Sequence, residues 1–313
     1  MSLLEKFYLW FYPKAYGWLK RFHVPGLSYT DRIEHSIVLT YIEKNFKDVI
    51  KKYPPLPPAI CSSIDSKSSI YVMWYQGEEK MPPMVKACYN NIKVHACQHP
   101  VVLVTKHNVR QYTENSPIWD DAIYQYLENG KISITHFSDL FRLCALYSYG
   151  GIWLDATIFL NRDIDEIISG LSFFSGRRDD VFDSHNVTAG KWTTYFICSF
   201  KGNPLMRFIF EILLAQLKKE GKFIQYCMQD YAFIFAFHHF QFVRDMIDAI
   251  PPMKNRFADL ANKLNLPFTS EDDFCRMRST SPFFKLTYKE DFKKVTVDGR
   301  KTYYVYVTEE LRS

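Results

Sequence analysis

Residues 136–160 read HFSDLFRLCALYSYGGIWLDATIFL and carry three side chains with chemical potential, Asp139, Arg142 and Asp155. Asp139 and Arg142 are three apart, so a helix presents them on one face, and near its amino-terminal end Asp139 also gains from the helix dipole. Taken alone, such a pair is an ordinary solvated ion pair that contributes little. Asp155 is the odd residue in an apolar run. A carboxylate is costly to bury without a partner, so it must cap a turn, pair with Arg142, or bind a ligand at the carboxyl end of a strand, where open α/β sheets hold their ligands. Asp230, a lone charge in FIQYCMQDYAFIFAF (223–237), either faces a site and contacts acceptor or sugar, or caps a helix with Tyr231 and Phe233 in the core. His238 and His239 are adjacent, diverge on a helix or strand, and make a poor metal pair.

The elements that must position these groups follow from hydrophobic period. Ser138 can cap a helix with Leu140, Leu143, Cys144 and Tyr147 as its apolar stripe, and Gly150-Gly151 ends it. In the following strand, period two places Ile152, Leu154, Ala156 and Ile158 on one face and Trp153, Asp155, Thr157 and Phe159 on the other. Upstream, IYVMWYQG (70–77) reads as a strand ending at Gly77. A helix follows Pro82-Pro83 through Val85, Cys88 and Ile92, and VVLVT (101–105) is a second buried strand. Strand, helix, strand implies a parallel sheet, and the class is α/β. Asn203 and Pro204 open a further helix over 203–219.

Ahead of this lies a helical amino-terminal segment. A helix is expected from Thr30 or Asp31, with Ile33, Ile37, Val38, Tyr41 and Ile42 at helical spacing and Lys47, Lys51 and Lys52 near its end. PPLPP (54–58) and CSSIDSKSS (61–69) read as a linker. The expected organisation is therefore 1–69, helical segment and linker, and 70–313, main domain. The first stretch, 3–22, sets Phe7, Tyr8, Trp10, Phe11, Tyr12, Tyr16 and Trp18 among Lys6, Lys14, Lys20 and Arg21. Aromatic rings beside cations suit a membrane interface. The alternative is that they dock on the main domain, with Pro13 marking a kink or helix restart.

Composition narrows the classes. Across 313 residues, 39 Lys plus Arg stand against 34 Asp plus Glu, a formal +5, which is mild for a nucleic-acid binder and leaves room for anionic small molecules or lipid headgroups. Seven cysteines without Cys-x-x-Cys or Cys/His ligand spacing argue for free thiols in a reducing compartment. No apolar run reaches the length of a spanning helix, and Met1 to Lys6 lacks the order of a signal peptide. The expectation is a cytoplasmic protein, peripheral on the inner face of the membrane. GxxxxGK[ST] and GxGxxG are absent, which argues against P-loop and dinucleotide chemistry.

Ser138-Asp139-x-x-Arg142, a fixed gap, and Gly150-Gly151-x-Trp153-Leu154-Asp155 together resemble the nucleotide-sugar site of glycosyltransferase family 32 and the large clostridial glucosylating toxins. More narrowly, the chain is similar to capsular polysaccharide synthesis glycosyltransferases. The resemblance runs from about Ile70 to Lys289 and includes WYQGEEKMPPMVKACYNN (74–91) and GKWTTYFICSFKGNPL (190–205). It implies a GT-A fold behind a helical amino-terminal appendage, and transfer of a hexose or N-acetylhexosamine from a UDP donor with retention. Matched by position, Trp74 would stack on the base, and Asp139 and Arg142 would hold sugar hydroxyls beside Trp153 and Thr157. Asp155 would be the first acid of an Asp-x-Asp motif, facing ribose and a metal-bound diphosphate. Asp155 and Asp230 are the candidate catalytic residues.

The motif departs from the family at Thr157, since a neutral hydroxyl is a far weaker ligand for a hard cation than a carboxylate. Either Mn2+ or Mg2+ is held through Asp155, the diphosphate and another residue, or basic side chains neutralise the leaving group. Candidates are Arg177, Arg178, Lys191, Lys285 and Lys289. No carboxy-terminal Gly-Ser-Trp-type motif is present. The expected partners are a nucleotide-sugar donor, a lipid-linked capsular or surface polysaccharide acceptor and a membrane surface. The alternative is a non-catalytic nucleotide-sugar-binding or scaffold protein of a polysaccharide assembly complex.

Overall fold

The computed structural model describes residues 2–22, 27–53, 64–65, 67–179 and 185–311. The expected PPLPP linker and residues 61–63 and 66 lie outside the described residues. Among the described residues seven short strands occur: β1 (Ile70–Met73), β2 (Val101–Val104), β3 (Gly151–Leu154), β4 (Ile158–Leu160), β5 (Phe173–Ser175), β6 (Phe196–Ser199) and β7 (Phe283–Lys285). Five of them form one sheet in the order β2-β1-β3-β6-β5. β1 runs parallel to both β2 and β3, while β6 pairs antiparallel with β3 and with β5. The parallel expectation from strand, helix, strand holds at the centre of the sheet. β4 and β7 make a separate antiparallel pair.

Both faces of β1 and β3 are covered, so every residue of each is buried. This explains their apolar composition without alternation. The Ile134–Tyr149 helix buries Phe137, Leu140, Phe141, Leu143 and Cys144, and it shares one hydrophobic cluster with the Pro204–Glu220 and Met228–His239 helices. Asn203 caps the Pro204–Glu220 helix by accepting from Leu205 N at 3.0 Å, with Pro204 in the first turn, as its spacing predicts.

Four local readings need correction. The central helix starts at Ile134, because Ser133 Oγ accepts from His136 N at 3.2 Å and so supplies the cap five residues before Ser138. Asp139 consequently sits in the second turn, beyond the strongest part of the helix dipole. The run IWLDATIFL is two strands: Asp155 N donates to Tyr195 O and Ile158 N to Asp155 O, both at 2.9 Å, turning the chain out of one sheet and into the other. Likewise β1 stops at Met73, four residues short of Gly77, and releases Trp74 at its carboxyl end.

The fourth correction concerns the amino terminus. The Leu27–Asn45 helix begins before Thr30, and Thr30 Oγ1 donates back to Leu27 O at 2.7 Å. Val38, Tyr41 and Ile42 are buried in the same cluster as β1 and β3. The Leu3–Arg21 helix is continuous through Pro13 and is capped by a reciprocal Ser2–Glu5 box. It docks by Leu9 and Tyr12, with Tyr12 Oη donating to Asp31 at 2.8 Å and Tyr8 Oη to Thr30 O at 2.8 Å. Its other face leaves Leu3, Leu4, Phe7, Trp10, Phe11 and Trp18 at least half exposed. No helix among the described residues is long and apolar enough to cross a membrane.

Gly150 and Gly151 are dictated by geometry. Both have positive φ, 71° and 104°. A Cβ on Gly150 would lie 2.7 Å from Lys201 N and one on Gly151 2.5 Å from Ser69 O. The pair lets the helix stop and β3 begin hard against two backbone segments.

Candidate active site

Because β1 and β3 are parallel neighbours, their carboxyl ends deliver Trp74 and Asp155 to one place. A cleft of about 690 Å³ opens there. Its walls come from the ends of β1 and β3, the first turns of the central helix, Tyr226, and the segment from Lys285 to Lys289. Trp74 is half-buried and meets Tyr288 edge-on at 5.2 Å between ring centroids. Trp153, Asp155 and Thr157 all line the cleft, but so does Ala156, which period two sets on the opposite face, because the backbone turns at Asp155.

A polar cluster underlies this surface. The Arg142 side chain is 5% exposed, pairs with Asp139 at 2.7 Å, approaches Asp155 at 3.8 Å, and donates to Thr194 O at 2.6 Å. Its guanidinium lies 5.0 Å from the Trp153 ring centre. The pair therefore joins a buried guanidinium to a carboxylate that is 17% exposed, and pairing partners and hydrogen bonds must compensate the buried charge. Asp155 Oδ1 accepts from Trp153 Nε1 at 3.0 Å, and Asp155 Oδ2 accepts from Lys285 Nζ at 2.9 Å. Lys285 Nζ also donates to Thr157 Oγ1 at 2.6 Å.

Two of the carboxyls are forced apart in acidity from the third. Burial pushes Asp139 up to about 6, with Arg142 pulling it back and the Asp155 and Asp230 charges adding to the rise. Burial likewise pushes Asp230 up to about 6 against a hydrogen bond from Trp192 and the Arg142 charge. Burial would raise Asp155 too, but Lys285 and Arg142 outweigh it and hold that carboxyl below its ordinary range.

A family model for capsular polysaccharide synthesis protein matches residues 24–307. The chain belongs to the capsular polysaccharide synthesis protein family. Over 110 residues it is 29% identical to braB, an O-glycosyltransferase of Annulohypoxylon truncatum, covering 33% of this chain and 26% of that protein. The chain therefore spans about a quarter of the length of the curated relative it matches. Among solved structures, PaToxG glycosyltransferase is similar at 13% identity and a TM-score of 0.41, covering 66% of this chain and 78% of that one.

In this family member the site residues read from sequence do not all reach the cleft. Trp74, Arg142, Trp153, Asp155 and Thr157 line it; Asp139 and Asp230 stand behind. Asp139 reaches the cleft through Arg142, and Asp230 Oδ1 accepts from Trp192 Nε1 at 2.9 Å in the aromatic core, where Trp192 stacks on Phe233. Of the five basic candidates, Lys285 and Lys289 line the cleft. Arg177 instead donates to the carbonyls of Ile247, Asp248 and Ile250, and Lys191 lies 5.3 Å from the Phe237 ring centre. Lys285, Tyr226 and Tyr288 are the contributions that local spacing did not rank. The one available signal for Lys285 was a charge closing the apolar strand FFK.

The donor set is a poor fit for Mn2+ or Mg2+. Hard cations want several carboxylate or carbonyl oxygens. Among the described residues no three His, Cys, Asp or Glu side chains gather as such a site requires. Where a second acid would stand there is the Thr157 hydroxyl, with an ammonium already bonded to it and to Asp155.

Proposed function

We propose that this protein is a glycosyltransferase of GT-A type, taking a sugar from a nucleoside diphosphate in the cleft above β1 and β3 and passing it to a surface-polysaccharide saccharide. The observation that carries this reading is the convergence of an aromatic ring (Trp74), a depressed carboxylate (Asp155), Arg142 with Asp139 paired behind it, and two lysines on one cleft. The sheet order, with parallel strands followed by an antiparallel one, supports it.

Each residue then has a role. Trp74 stacks on the base, and the family resemblance favours uracil. Asp155 accepts from ribose. The Asp139–Arg142 pair holds sugar hydroxyls, a carboxylate accepting and a guanidinium donating. Asp230 adjusts the charge of that pair from behind. In the transfer the bond from the anomeric carbon to the phosphate oxygen breaks with its electrons going to the phosphate, and the acceptor oxygen forms the new bond. An inverting route needs a second carboxylate as base. Asp155, bonded to Lys285, is the one carboxylate among the described residues lining the cleft. This favours retention, with the departing phosphate taking the acceptor proton.

The exposed face of the Leu3–Arg21 helix supplies the membrane part of the reading. Phe7, Trp10, Phe11 and Trp18 stand out beside Lys6, Lys14, Lys20 and Arg21, and Lys14 Nζ is 3.8 Å from the Trp10 ring centre. Rings with flanking cations partition to anionic headgroups, which would place the enzyme on the inner leaflet beside a lipid-linked acceptor.

Free nucleotide released from a panel of UDP-, GDP- and CMP-sugars tests the activity. Release from one donor, lost in Asp155→Ala, is expected; retention of most release in that variant would sink the assignment. Cosedimentation with anionic vesicles tests the helix face. Replacing Phe7, Trp10 and Phe11 with Ser should abolish it, and unchanged binding would remove the membrane role.

A further inference from the structure

We propose that Lys285 takes the place of a divalent cation at the donor diphosphate, so that donor binding and transfer here need no metal. The inference rests on the donor-site reading above and concerns how that site handles phosphate charge.

The ammonium is held where a cation would sit. β7 pairs with β4 so that Lys285 stands opposite Ile158, one residue beyond the Asp155–Thr157 turn. The backbone is pinned on both sides of the turn, with Lys285 N donating to Phe257 O at 2.7 Å and Leu286 N to Thr157 O at 2.9 Å. From that base Nζ bonds Asp155 at 2.9 Å and Thr157 at 2.6 Å. An ammonium has three N–H donors. Two are engaged, and one remains for a phosphate oxygen, on a side chain that is 30% exposed and lines the cleft.

The charge balance agrees. A divalent ion on two carboxylates sums to zero, and so does one ammonium on one carboxylate. Replacing the second acid by Thr157 removes the charge that an ion would need and leaves a hydroxyl that an ammonium can use. Lys289, four residues on and also lining the cleft, brings a second positive charge toward the diphosphate.

In the transfer step, Lys285 stays protonated and donates a hydrogen bond to the phosphate oxygen that receives the electron pair of the breaking anomeric bond. The acceptor oxygen forms the new bond and its proton passes to that phosphate, so a protonated nucleoside diphosphate leaves. The lysine acts as a fixed positive donor aimed at developing charge.

The test is UDP and GDP binding by calorimetry, with EDTA or with Mn2+, for the wild type, Lys285→Ala, Lys285→Arg and the double variant Lys285→Ala/Thr157→Asp. Wild type should bind one nucleotide equally well in both conditions. Lys285→Ala should weaken binding in EDTA by roughly ten- to hundredfold, the size of a lost charge-assisted hydrogen bond, and Lys285→Arg should recover part of it. The double variant, which restores two acids, should regain binding only with Mn2+. Thermal midpoints within a few degrees of wild type, on the scale expected for single surface substitutions, would show that the variants are folded; Lys285→Arg carries the comparison if Lys285→Ala is not. Wild-type binding that requires Mn2+, or full binding by a folded Lys285→Ala in EDTA, would overturn the inference while leaving the donor site standing. Absence of binding to either nucleotide in both conditions would overturn the donor site, and this inference with it.

Discussion

Replacing Arg142 with Met should expose how much charge the core of the site conceals. The guanidinium side chain is 5% exposed and compensates Asp139 at 2.7 Å, with Asp155 at 3.8 Å. Removing one partner of a buried pair costs about 3–5 kcal/mol, because the remaining charge is left uncompensated. For a chain of this length, unfolding entropy of about 2 cal/mol/K per residue converts each kcal/mol to about 1.5 °C, so at pH 8 the melting midpoint should fall by roughly 5–8 °C. The sign with pH is fixed by Asp139. Burial already raises its carboxyl to about 6, and loss of Arg142, which pulls it down, raises it further. Below that range Asp139 is protonated in the fold of either protein, and its share of the charge penalty vanishes, leaving the share due to Asp155. At pH 5 the hydrogen bond to Thr194 O, the packing on Trp153 and the positive charge facing the still-ionised Asp155 are lost, a smaller penalty than at pH 8. Urea or thermal denaturation of both proteins at pH 5 and pH 8 reads the difference. Equal destabilisation at the two pH values, or a loss under about 1 kcal/mol at pH 8, would refute the claim that this is a buried, mutually dependent pair.

Two further outcomes follow from the same geometry. Affinity for a nucleotide sugar should rise as pH increases through about 6, as Asp139 ionises and becomes an acceptor for sugar hydroxyls. Asp139→Asn should flatten that step, and an undiminished step in the variant would assign the titration elsewhere. Gly151→Ala forces a positive φ and drives Cβ to 2.5 Å from the Ser69 carbonyl oxygen, whereas Gly170→Ala has positive φ but open space. Denaturation should show Gly170→Ala losing about 1 kcal/mol and Gly151→Ala at least about 3 kcal/mol. The reverse order would contradict the close approach at the start of β3.

Much of this site was legible in the sequence because its parts are local. The Gly-Gly stop, the i,i+3 Asp139–Arg142 pair and the solitary carboxylate after Trp153 all lie within 25 consecutive residues, and alternation of strand and helix gives the parallel centre of the sheet. Long-range pairing was not legible. Lys285 meets Asp155 across 130 positions, and no spacing rule connects them. Short-range ambiguity explains the cap, since Ser133 and Ser138 both precede apolar helical residues, and Ile134 and Phe137 simply extend the stripe one turn earlier. The break at Asp155 was hidden because IWLDATIFL alternates without interruption; the hydrogen bond to Tyr195, forty residues away, turns it. Burial was also invisible. A pair that reads as a surface ion pair lies beneath a cleft because Trp153, Asp155 and the Thr194 backbone, from distant parts of the chain, close over Arg142.

The central claim is that the cleft over β1 and β3 holds an activated sugar, and a crystal structure of the protein with a bound UDP-sugar tests it most directly. The account predicts the base against Trp74, the sugar hydroxyls within hydrogen-bond reach of Arg142 and Asp139, and the diphosphate on Lys285. A saturating nucleotide sugar found elsewhere on the molecule, with this cleft empty, would contradict it.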